Sequence, residues 1–432
     1  MSDVCESTRH PLTTAKEAVN VRVASGREGF TEILRHAGQD LVDVLEEDQD
    51  PDSPEVREAL SQLHDHVDRA MADHAHRQRR WPVRTDGERL TRAFRALDES
   101  GVIAREEFGC CDGCAKAALN GELATRNSVP SGQAVRGYAF YHRQDRKNAV
   151  AGGPLVVRFE ASHPLRRAAV GEETAETLRA HGLTVDWDGD PDRGLLIPMD
   201  WSRRRFGRGA AFPGPAVDGE PMVRVSFNDP GPYGVPEWIS RYEGRVSVRE
   251  LSRMVLPWLP RSFVATLSSG HGQTIVLERD FDLLRVHHGP ALSRERVEEP
   301  LSRWAVGAVW PREEARSSHA GLLEVNYADT AEEGMGFVDY AEPLETAAAR
   351  QLVYQLTPAK GTFAVFTAAN GEVAQMMWES GSLLWMESPS PAEGVSRGRH
   401  VTLPEAEEMV RVLAEEGRVA LADLGELRTT SW

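Results

Sequence analysis

Three of the chain's four cysteines, Cys110, Cys111 and Cys114, fall in one five-residue window within Phe108-Gly-Cys-Cys-Asp-Gly-Cys114. Cys111 and Cys114 have the C-x-x-C spacing that lets two thiolates grip one zinc ion. A closed structural site takes four ligands. The chain has no second C-x-x-C. The remaining candidate donors are Cys110 and His142, the histidine that ends the next predicted strand; Cys5 is distant. Two other readings stand beside zinc. Cys114 precedes a predicted helix, and a helix N-terminus lowers a thiol's pKa, so a reactive thiol with Lys116 nearby and His142 as its base is the second. Free cysteine is also among the most buried residue types, so plain packing is the third.

Other candidates are weaker on chemistry. Asp186-Trp-Asp188-Gly-Asp190-Pro-Asp192 invites a calcium loop, but the sixth and twelfth positions from Asp186 are Pro191 and Ile197, where an EF-hand needs Gly and Glu. A turn with aspartate caps explains the run, and Asp188 and Asp190 stay as candidate ligands for a divalent ion. Trp378 and Trp385 fall on neighbouring predicted strands with Met376, Met377 and Met386. If alternation turns one indole outward, that sheet face suits a protein partner. Arg77, Arg79, Arg80 and Arg84 flank Trp81, a pairing usable on a single nucleic-acid strand. The acidic residues before them argue against it. Phosphate-loop, Gly-x-Ser-x-Gly and His-Glu-x-x-His motifs do not occur.

The elements that must position these residues are α+β and multidomain. Residues 1–83 read as a helical hairpin. Ser53-Pro54-Glu55 starts one helix, and Val56, Leu60, Leu63, Val67 and Met71 recur at helical spacing. Phe30 to Leu45 is its partner. Residues 84–205 read as a small mixed α/β sheet domain that carries the cysteines, with strands at Gly137–His142, Leu155–Phe159, Thr184–Trp187 and Leu195–Trp201. Residues 206–219 read as a Gly-rich, basic linker. Two further small α+β units follow, 220–330 and 331–432. The last is expected as β-β-β-α, with a hairpin at Asn370-Gly371 and a capping box at Thr402–Glu405.

Composition bounds the setting. With 432 residues the chain is too long for one core. The net charge of −17 disfavours nucleic acid without a local basic face. Residues 31–75 hold 13 acidic and 3 basic side chains, and residues 76–95 hold 7 arginines against 2 acids. That contrast fits solvated helix faces matched to each other. No apolar run is long enough to span a bilayer, and no apolar leader opens the chain. Four cysteines without a leader suit a reducing cytoplasm.

Residues 105–205 also resemble an uncharacterised bacterial domain family common in actinobacteria. The likeness rests on Phe108–Cys114, Gly137-Tyr-Ala-Phe-Tyr-His-Arg-Gln-Asp145, Val150-Ala-Gly-Gly153, Val185–Asp190 and Asp200-Trp201. It implies a domain and no activity, and it draws His142 and Asp145 toward the cysteines. The last unit resembles immunity-type α+β proteins in outline only. The expected function is binding, regulatory or immunity-like. The alternative is a zinc- or thiol-dependent enzyme centred on Cys111, Cys114 and His142.

Overall fold

A computed structural model gives the fold, and it describes residues 11–45, 53–128, 134–228, 244–287, 289–310, 321–330, 341–380 and 383–431. Cys5 lies outside them. The architecture is α+β, with three sheets. No helix among the described residues is long and apolar enough to cross a membrane.

Three helices come first: α1 (Pro11–Ser25), α2 (Phe30–Leu45) and α3 (Pro54–Gln78). The expected hairpin is therefore three helices. Ser53 caps α3, its hydroxyl accepting from the Val56 amide at 3.2 Å, with Pro54 in the first turn. The helix that the sequence hid, α1, buries Ala15, Val19 and Val23. Those are small side chains four apart, a stripe too narrow to stand out among polar neighbours.

The mixed unit contains α4 (Asp86–Ser100), β1 (Val102–Arg105), α5 (Asp112–Asn127), β2 (Gly137–Phe140), α6 (Arg143–Val150), β3 (Leu155–Ala161), α7 (Arg167–Ala180) and β4 (Leu195–Ile197). Its sheet runs β1-β2-β3-β4, with β1 parallel to β2 and the other pairs antiparallel. Helices cover both faces. Leu90, Phe94 and Leu97 of α4 pack with Val170 and Leu178 of α7, while Ala115, Leu119 and Leu123 of α5 pack with Ile103, Tyr138 and Phe140. Full coverage is why β1 is buried at every residue and shows no alternation to read. The strand expected at Thr184–Trp187 is reduced to one bridge, Asp186 with Leu196.

The second sheet contains β5 (Met222–Phe227), β6 (Gly244–Ser247), β7 (Val264–Ser268), β8 (Thr274–Asp280), β9 (Leu283–Val286) and β10 (Leu292–Ser293), in the antiparallel order β10-β9-β8-β7-β5-β6. A helical segment over residues 248–258 and α8 (Glu298–Ala305) accompany it. The opening helices share its core: Phe30, Ile33, Leu41, Leu63 and Met71 cluster with Val225, Leu267, Leu277 and Leu301.

The third sheet has seven antiparallel strands in the order β12-β11-β13-β14-β15-β16-β17. They are β11 (Leu322–Ala328), β12 (Glu342–Glu345), β13 (Phe363–Thr367), β14 (Val373–Ser380), β15 (Leu383–Ser390), β16 (Val395–Val401) and β17 (Arg428–Ser431). Two helices, α9 (Thr346–Gln355) and α10 (Leu403–Glu416), pack on one face. The β-β-β-α outline captured β13 to β15 and α10. The Asn370-Gly371 turn is present with Gly371 at φ 89°, and α10 opens on the Thr402–Glu405 capping box and ends at Gly417 with φ 66°.

Buried ion pairs tie these parts together. Arg203 donates to Glu106 at 3.0 Å and to Glu107 at 3.3 Å; Glu107 also pairs with Arg146 at 2.5 Å and with Arg27 at 3.4 Å. Arg92 forks onto Glu407 of α10 at 2.8 and 3.0 Å, its guanidinium 3.7 Å over the Tyr354 ring of α9. Arg279 of β8 pairs with Glu324 of β11, both side chains almost wholly buried. Burial pushes the Glu107 carboxyl up, but Arg27, Arg146 and Arg203 outweigh it and hold it below the usual carboxylate range. Such a group stabilises the fold fully above its unfolded pKa of about 4.3. That contribution is lost as pH falls through the depressed native value. Removing one member of a buried pair strands the others, so Glu107→Gln is expected to lower stability by about 3–5 kcal/mol at pH 7. Urea denaturation followed by circular dichroism checks this. The gap between wild type and variant should narrow toward pH 3; a gap that does not depend on pH would contradict the charge argument.

Candidate functional site

The cysteine loop is shaped by the residues before it. After β1, Glu107 adopts a left-handed φ of 54°, and the Phe108 amide donates to the Tyr141 carbonyl at 2.9 Å. Gly109 follows at φ 76°, where a Cβ would meet Ala115 backbone atoms at 3.0–3.1 Å. Only glycine fits that combination. Cys111 is then the N-cap of α5, its carbonyl accepting from the Ala115 amide at 3.1 Å. This brings the Cys110, Cys111 and Cys114 sulfurs within 4.8 Å of one another, the sole group of three or more such donors among the described residues.

Cys110 and Cys114 are exposed and Cys111 is half-buried. The packing reading therefore fails: the cap position aims these side chains at solvent while Ala115, Leu119 and Leu123 take the buried face of α5. No full hydrogen bond caps the helix through the Cys111 sulfur. Still, the Cys114 amide is directed at it, followed by the Cys114 and Cys110 thiols, and together they hold the Cys111 thiol below its ordinary range. The converse applies to Cys114. The neighbouring Cys110 and Cys111 thiols push it up to about 11. Three close sulfurs hold one charge readily and three only with a cation.

His142 and Asp145 lie next door. The Arg143 amide donates to the Gly109 carbonyl at 3.4 Å, which sets the start of α6 against the cysteine loop. His142 is the N-cap of α6 in a capping box with Asp145. Its Nδ1 faces the Asp145 amide at 3.3 Å and the Asp145 carboxylate at 3.0 Å, whereas Nε2 has no partner among the described residues. Burial is the largest influence on the imidazole and lowers its pKa, favouring the neutral ring. His142 is outside the group of donors within 4.8 Å. One residue that the sequence did not single out joins the halves. Arg158 of β3 bridges Asp145 at 2.5 Å and Asp112 at 3.2 Å, and Lys116 pairs with Asp112 at 3.1 Å. The signal for Arg158 was a lone charge inside the apolar strand Leu155-Val-Val-Arg-Phe.

The remaining candidates lie apart. Asp188 accepts from the Asp190 amide at 3.1 Å and pairs with Arg193 at 2.6 Å, and Asp190 accepts from the Asp192 amide at 2.9 Å. Both are exposed and act as turn caps. In the third sheet Trp378 is buried beneath the helices, while Trp385 on the next strand faces the other way. Trp385 stacks edge-on against His400 at 5.2 Å and donates to Glu387 at 2.7 Å. Gly398 makes room for it, since a Cβ there would lie 2.8 Å from the indole.

Residues 8–205 match the model of a family described as a domain of unknown function (DUF6891). The match takes in the opening helices as well as the 105–205 stretch in which the resemblance was expected. No curated protein and no solved structure gives a match.

Exposure and charge together predict an order of reactivity. In the native, reduced protein the cluster should alkylate without denaturant, Cys111 before Cys114 because its thiol is held lower. Mass mapping after brief iodoacetamide treatment at pH 7 reads the order. Protection of the cluster until unfolding would contradict the exposed geometry.

Proposed function

We propose that this chain, with its domain of unknown function over residues 8–205, acts by binding, and that Cys110, Cys111 and Cys114 hold a zinc ion. The carrying observation is the convergence of three solvent-facing sulfurs within 4.8 Å at one helix N-terminus. Thiolate sulfur is a preferred zinc donor, and a divalent cation removes the repulsion that keeps Cys114 protonated. Three sulfurs leave a fourth position. His142 is the protein's own candidate for it: Nδ1 caps α6 by accepting from the Asp145 amide, and ligation needs the other tautomer, with Nδ1–H donated to the Asp145 carboxylate 3.0 Å away so that Nε2 is free for a metal, the usual outer-sphere arrangement. Reduced, exposed thiols suit the cytoplasm, and the binding role suits a regulatory or immunity-like protein.

Cobalt(II) titration at pH 8 under reductant tests the reading. One equivalent should produce sulfur-to-cobalt charge-transfer absorption, which zinc then displaces. Cys111→Ser and Cys114→Ser should each remove most of it. His142→Ala should weaken binding by about 10- to 100-fold if the ring ligates or orients the site. Binding should weaken steeply as pH falls below 7, because the thiols must shed protons to coordinate. Absence of charge-transfer absorption at any cobalt concentration would sink the metal reading. Unchanged affinity in His142→Ala would remove that residue from the ligand set.

The lowered Cys111 thiol favours a second reading, a thiol-dependent enzyme with His142 as base. Its signature would be a single fast-reacting cysteine in protein that takes up no metal.

A further inference from the structure

A cleft of about 470 Å³ lies where the second and third sheets meet, far along the chain from the cysteines. Its walls come from the Arg205–Phe212 strap, the segment Ser252–Trp258, Arg294, and the Pro343–Ala348 turn into α9. The volume suits a small ligand. Phe206, Trp258 and Leu344 make much of the lining apolar.

The polar groups around it are unusually short of partners. Ser252 Oγ, Trp258 Nε1 and Arg294 Nε are buried and make no hydrogen bond. Arg294 is only 9% exposed, yet among the described residues its side chain makes one hydrogen bond, a long 3.4 Å contact to the Pro257 carbonyl. No carboxylate among the described residues lies within 4.0 Å of it. The nearby buried carboxylate, Glu324, is already taken by Arg279. Arg205 is buried too, and it spends its donors on the carbonyls of Val23, Glu28 and Gly209, which carry no charge to offset its own. The two acids in the lining, Glu295 and Glu345, are exposed, and the exposed Arg253 is held by Glu298. A buried guanidinium without an anion is costly, and such a cost persists where something else supplies the charge.

We propose that this cleft binds a small organic anion, its phosphate or carboxylate head on Arg294 with Ser252 and Trp258, and its apolar body against Phe206 and Leu344. Burial lowers the pKa of both arginines, that of Arg205 to about 10, which an anion in the cleft would reverse. The planar fork of arginine matches either head group.

Phenyl phosphate and benzoate are suitable probes, with inorganic phosphate and benzyl alcohol as controls, followed on the full chain by calorimetry. Saturable binding of phenyl phosphate, benzoate or both supports the proposal and identifies the head. The organic anion should bind at least about tenfold tighter than inorganic phosphate, and Arg294→Gln should lose at least about tenfold. Benzyl alcohol binding as well as the anions, inorganic phosphate matching them, or neither anion binding at millimolar concentration would overturn it. Arg294→Met supplies a check that needs no ligand. Because the guanidinium has no counter-charge, the variant should melt at the same temperature as wild type or higher. A clear fall in its melting temperature would show that Arg294 is paired within the fold, and would overturn the proposal equally.

Discussion

Two adjacent carboxylates, Glu106 and Glu107, are buried side by side between the mixed sheet and the opening helices. Neighbouring buried anions repel, so they persist only if cations are brought to them. The chain supplies Arg203 to both, Arg95 to Glu106, and Arg27 and Arg146 to Glu107. These come from the first loop, α4, α6 and the irregular segment leaving the mixed unit. The pairing therefore fixes where the Arg203–Arg205 segment runs. His74 and Gln78 of α3 then hold its backbone, at 3.1 Å to the Arg203 carbonyl and 2.8 Å to the Arg205 amide. Satisfying two charges thus sets the approach of three parts of the molecule.

The same pair sets up the cysteine loop. Glu107 faces three arginines with its backbone turned left-handed, and Gly109, also left-handed, leads from there to the cysteines at the head of α5. The sulfurs converge at the surface because the charges next to them converge in the interior. Chemistry and stability here share a backbone kink one residue wide.

Much of this was legible in the sequence and some was not, for separable reasons. Capped, amphipathic helices such as α2, α3 and α10 announce themselves, because their signals are local. The Asn370-Gly371 hairpin did so too. By contrast β1, with only four residues and both faces covered, has no period to detect. Of the third sheet, β11, β12, β16 and β17 went unread, since short antiparallel strands take their support from neighbours distant in the chain. The cysteine cluster and the Asp145 cap were visible as motifs. The partnership of Arg158 with both Asp112 and Asp145 was not, because charge pairing across strands leaves no spacing rule. Nothing around Arg203 and Arg205, after Trp201, signals in the sequence that they are buried. Composition records charge and not whether a carboxylate waits for it.

The opening helices carry a further implication. The family match groups residues 8–205, whereas packing groups α1 to α3 with the second sheet. The matched stretch and the unit that excludes water do not coincide. A chain built this way cannot be rearranged by cutting at residue 205 without tearing Phe30, Ile33 and Leu63 from the side chains that cover them. The stretch that matches the family therefore leans, in this chain, on side chains that lie outside it.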